Sequence, residues 1–149
     1  MSGETKYYAK PVADYGWILL AIPAAACMLI WFWVSTLTLF QSPGEKLTLI
    51  IAGTVIGTAI VAAMEASKLG MSEDRDKGTY GPAAWFFVIL LFWVIGYPWY
   101  MFKRKHYGLS NLIIGALALA MIFAFSAFAM HSAIADQVGK LQHALDQLQ

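Results

Sequence analysis

Four stretches without a single Asp, Glu, Lys or Arg dominate this chain and leave it few ways to fold: Trp17 to Phe40, Leu47 to Met64, Ala83 to Phe102 and Leu109 to Met130. Each approaches the roughly 20 residues that a helix needs to cross hydrocarbon. Lipid offers backbone amides no partner, so crossing segments must be helices or a closed barrel, and the short alternating segments of a barrel are absent. The expected class is therefore all-α: an integral membrane four-helix bundle, with spans at about 17–40, 47–64, 83–102 and 109–131. Composition agrees, because apolar residues make up 60% of the 149 and charged ones only 13%, more apolar surface than a soluble fold could hide.

The third stretch is the surest crossing. Phe86 to Phe92 with Val94, Ile95 and Phe102 supply about 3 to 6 kcal/mol of insertion free energy. The second is diluted by Gly and Thr and should insert with help from its neighbours. Pro43 and Gly44 suit a tight reversal between the first two spans, and Lys103 to Gly108 is an equally short connection. Lys6 and Lys10 precede the first span, and Ala24 to Cys27 faintly resemble a processing site. Strongly apolar residues continue through Met28 to Trp33, so the segment reads as a retained span. Pro23 should kink it. With four crossings both termini share a side. Six Lys/Arg then face four across the membrane, and the Lys103–Lys105 cluster favours a cytoplasmic third connection with both termini outside.

The last span runs on into a short helix with a hydrophobic seam. Ile134, Val138, Leu141, Leu145 and Leu148 alternate spacings of four and three, the repeat that sets one helix stripe against another. Traced back into the membrane, the line continues through His131, Ala127, Ala124 and Ala120. Residues 132–149 thus form an amphipathic helical tail, and the fourth helix, about 60 Å long in all from Leu109 to Gln149, is expected to extend into solvent. Such a tail either docks a partner or a second copy, or lies along the membrane surface. Gly53 and Gly57 form a GxxxG pair with Thr54, Thr58, Ala62 and Ala66 beside it, a small-residue face suited to close helix packing within the chain or between chains.

Pro98, Tyr100, Lys103 and Arg104 close the third span. With Glu65, Gly70, Gly78, Gly81 and Pro82 ahead of it, the segment 63–107 resembles a pattern in small uncharacterised bacterial multi-pass membrane proteins: an acidic residue, a glycine-containing loop, and a span ending in Pro-x-Tyr plus basic residues. That resemblance implies a bacterial inner membrane and lends no activity. Tyr100, Lys103, Arg104 and Lys105 are expected at the lipid headgroups. Glu65 directly follows the second span. It either pairs with Lys68 three residues on, or, with Thr54 and Thr58, contributes to an ion or proton pathway.

Asp74, Asp76 and Gly78 resemble the start of a calcium loop, but Trp85 stands where its last carboxylate is needed. His106, His131 and His143 are too scattered for a metal set, a lone Cys27 offers no thiol cluster, and no catalytic triad or phosphate loop is present, so no cofactor, metal or enzymatic activity is expected. A net charge of +1 gives no basis for nucleic-acid binding. The expected partners are membrane lipids and other membrane subunits or itself. The expected role is a non-enzymatic accessory or assembly subunit docking through its small-residue faces and C-terminal seam, with a homo-oligomeric small channel or transporter as the alternative.

Overall fold

The computed structural model describes residues 14–71 and 80–148, and among them there is no β-strand. Five α-helices follow one another: α1 Gly16–Phe32, α2 Pro43–Lys68, α3 Pro82–Leu91, α4 Trp93–Lys103 and α5 Ile113–Asp146. The chain is all-helical as expected, and three stretches, Gly16–Thr36, Pro43–Lys68 and Ile113–Asp146, are long and apolar enough to cross a membrane.

α1 passes through Pro23 uninterrupted and ends at Phe32. Two short 3-10 turns, Val34–Thr36 and Leu39–Gln41, then lead to Ser42, whose φ of 50° turns the chain into α2 with Pro43 at its first position. A proline there forfeits no helical hydrogen bond. The reversal thus sits nearer the amino end than expected, and α2 is correspondingly longer. α5 starts at Ile113 instead of Leu109, because Arg104–Tyr107 form a 3-10 turn and Gly108 adopts φ 78° before it.

The segment 83–102, read as the surest crossing, is not one helix. α3 stops at Phe92 (φ −128°, ψ 46°), and α4 runs back alongside it. The proof is in the side chains: the rings of Trp85 and Tyr100 lie 5.1 Å apart and those of Trp85 and Trp99 6.3 Å apart. A straight helix would separate residues 85 and 100 by about 22 Å. Gly96 makes the fold-back possible, since a Cβ there would stand 2.8 Å from the Val88 carbonyl oxygen and 3.0 Å from its Cγ1. With only 10 and 11 residues, the two arms reach about 15 Å, half the depth of a bilayer's hydrocarbon.

α1 and α5 run parallel and α2 antiparallel to both. Trp31 Nε1 near the end of α1 donates to Ser126 Oγ of α5 at 2.9 Å, and the Tyr15 amide before α1 donates to Glu65 near the end of α2. The hairpin tip wedges between α2 and α5, where Trp93 Nε1 donates to Thr58 Oγ1 at 2.7 Å and its ring packs on Phe123 at 5.0 Å. Five helical rods therefore share one half of the body and three the other. Leu19, Ile30, Ala59, Ala62, Ile89, Ala116 and Ala120 are fully buried between them. Facing outward are Leu49, Ile60, Phe87, Leu91, Ile95, Ile114 and Phe125. An apolar exterior of this extent suits a lipid surround and would be a liability in water.

Candidate functional site: a buried carboxylate–guanidinium latch

Folding the hairpin back brings the ends of α2 and α4 together at the start of α1, and there the chain buries its charges. Glu65 and Arg104 are both fully buried. Glu65 Oε1 accepts from Arg104 Nη2 at 2.7 Å and from the Tyr15 amide at 2.7 Å. Oε2 accepts from Tyr100 OH at 2.7 Å and from Arg104 Nε at 3.1 Å. A carboxylate offers about four acceptor positions, and all are taken.

Arg104 reaches a second carboxylate, Asp14, through Nη2, and Asp14 also caps the Gly16 amide at 2.8 Å. Burial alone would raise the Asp14 carboxyl. The Gly16 amide and the hydrogen bond and charge of Arg104 outweigh that, and hold it below its ordinary value. The guanidinium fits because position 16 is glycine: a Cβ there would fall on Arg104 and 2.7 Å from Leu112 Cδ1. One cation with two carboxylates, braced by a phenol and two backbone amides, pins α1, α2, α4 and the approach to α5 at a single point. Around it Tyr80, Trp85, Trp99 and Tyr100 pack edge to face. The Trp85 indole N–H is buried there with no acceptor among the described residues.

Several expectations are corrected here. Glu65 pairs with Arg104 and not with Lys68, whose amine instead meets the Tyr15 hydroxyl and ring. Arg104 and Tyr100, expected at the headgroups, are fully buried in the latch, where the Glu65 carboxylate accepts hydrogen bonds from both. Lys105 is exposed, its amine 3.9 Å from the Phe102 ring centre, and Lys103 is half-buried.

The supposed pathway residues are spent internally. Thr54 Oγ1 donates to the Ile50 carbonyl, and Thr58 Oγ1 to the Thr54 carbonyl while accepting from Trp93. Gly53 touches nothing a side chain would meet; it borders an apolar groove with Ile22, Ala25 and Leu29 of α1. Gly57 lies beneath Ile22, where a Cβ would be 3.9 Å from its Cγ2. The close packing of α2 is done by Thr58, Ala59, Ala62 and Ala66.

The long seam divides in two. Ala120 is fully buried, and Ala124, Ala127 and Ile134 are half-buried, so its membrane half is already covered by this chain; His131 is exposed. Beyond it the helix continues unbroken past Ser132 to Asp146, and Val138, Leu141, Leu145 and Leu148 are exposed. Every described residue from Lys140 onward is exposed. Asp74, Asp76 and Gly78 lie outside the described residues. Among the described residues no group of three or more His, Cys, Asp or Glu could hold a metal ion.

The acidic residue, the Pro-x-Tyr and the basic residue that carry the sequence resemblance meet in the latch, through Glu65, Tyr100 and Arg104. Sequence reasoning named all three without joining them. Comparison with protein families, with curated proteins and with solved structures returns no match.

Proposed function

We propose that this chain is a non-enzymatic accessory or assembly subunit of a membrane protein complex, embedded by three crossing helices and a half-depth hairpin, and associating through distal α5. One observation carries the reading: a helix rooted in the body by Ala116, Ala120, Phe123 and Met130 continues without a break into a stripe of exposed valine and leucines. Exposed apolar residues at heptad spacing on a projecting helix gain free energy by being covered, and nothing within the described residues covers them. The latch supports the same reading, because a carboxylate with every acceptor position occupied holds helices together and leaves no position for a passing ion or proton. The channel alternative therefore loses Glu65, Thr54 and Thr58, its best polar residues. The location we assign is a bacterial inner membrane, on the apolar exterior and the Pro-x-Tyr resemblance.

Mass in mild detergent tests the reading. Wild type should run above the 16.4 kDa monomer, and Leu141→Asn with Leu145→Asn should reduce it to monomer while the helical content stays. Identical masses for the two proteins, or ion flux in liposomes abolished by Glu65→Gln, would overturn it.

A further inference from the structure

The fold-back decides which polar segments share an end. The start of α1, the end of α2, both outer ends of the hairpin and the start of α5 meet at the latch, whereas the 3-10 turns after α1, the start of α2 and distal α5 lie at the other end. Lys68, Lys103, Arg104 and Lys105 stand at the latch end, and in sequence the segments joined to it carry Lys6, Lys10, Arg75 and Lys77. Only Lys46 and Lys140 belong to the other end. A crossing at 83–102 would have balanced the charges nearly evenly. The hairpin sets four of the ten at the latch end, and the sequence segments joined to that end carry four more. Setting aside Arg104, neutralised by Glu65, leaves the bias intact. Excess Lys and Arg in short connections stay in the cytoplasm, so the latch end is cytoplasmic and distal α5 emerges opposite.

Every copy inserted this way presents its tail in the same direction, so two tails meet in parallel. In that register Val138 and Leu145 occupy one seam position and Ile134, Leu141 and Leu148 the other. The positions flanking the seam are Ala135, Gln137, Gln142 and Ala144. Flanking charges select partners and forbid like pairs; here there are none to repel an identical helix. Asp136 and Lys140 lie off the seam and pair with each other at 2.9 Å. We infer that distal α5 is displayed on the non-cytoplasmic side of the membrane and pairs there, in parallel, with the same helix of a second copy. This rests on the docking role proposed above, and names the occupant and the side.

Single cysteines at Leu141, Leu145 or His143, each in a Cys27→Ser background of the full chain, test both parts in intact cells. A membrane-impermeant maleimide should block all three without permeabilisation. Mild oxidation should give a disulfide dimer of doubled mass for Leu141→Cys and for Leu145→Cys but not for His143→Cys, which lies off the seam. Protection of the cysteines until the cells are permeabilised would overturn the sidedness. Labelling without seam-specific cross-links would overturn pairing with a second copy. If wild type then still ran above monomer mass and Leu141→Asn with Leu145→Asn reduced it, docking would stand with a different polypeptide as occupant; if not, docking itself would fall.

Discussion

Glu65 and Arg104 illustrate how far one residue pair can organise a chain whose other contacts are nearly all apolar. Apolar packing in lipid lacks the drive that water supplies, so helix association depends on shape and on polar contacts. A buried guanidinium left without its carboxylate is costly, about 3 to 5 kcal/mol in soluble proteins. Glu65→Ala should therefore lower the melting temperature in detergent substantially, and Arg104→Lys should lower it as well, because an ammonium cannot reproduce the planar two-pronged contact. Equal melting for Arg104→Lys and wild type would show the pair to be a simple charge contact. Asp14 adds a pH dependence. Its folded-state carboxyl is depressed, so its contribution is fully present above the ordinary value of 3.8 and fades as pH falls through the lower folded value. Melting curves of wild type and Asp14→Asn should differ at neutral pH and converge in acid; a gap that persists at the lowest pH would remove Asp14 from the latch.

At the level of elements the hairpin was the part that sequence reading missed. A window of uncharged residues reports which solvent a segment prefers and says nothing about its direction, so a run of 20 apolar residues reads equally as one crossing or two half-crossings. The available signal was Gly96, the small residue at the arm crossing, which a uniformly lipid-facing helix does not need. Gly96→Leu should force the arms apart and cost about 1 to 3 kcal/mol as overpacking, measurable as a lowered melting temperature. Trp93→Phe, which loses the hydrogen bond to Thr58 and part of the ring packing on Tyr97 and Phe123, should cost about 1 kcal/mol for the hydrogen bond and a further increment for the ring volume left empty. If Gly96→Leu melted like wild type, the close arm contact would be wrong. α5, by contrast, was legible: the seam spacing announced one long helix, and it runs unbroken over 34 residues. What spacing alone did not reveal is which half of that seam its own chain covers, since burial depends on neighbours distant in sequence.

For the molecule as a whole, the fold class and the three crossing-length helices follow from composition and charge-free length. Pairing between ends does not, because Glu65 and Arg104 are 39 residues apart and Lys68 offered a nearer charge. The reversal at Phe92 connects the levels: it delivers Arg104 to Glu65, leaves the body five rods thick in one half and three in the other, and sorts the basic residues to one end. The distance across the hairpin tests it most directly. Spin labels at Ala84 and Trp99, introduced as cysteines with Cys27→Ser in protein reconstituted into bilayers, should report a separation at the short limit of the pulsed measurement. A continuous helix would hold those backbone positions about 22 Å apart, and a sharp distribution near that value would contradict the fold-back and everything derived from it.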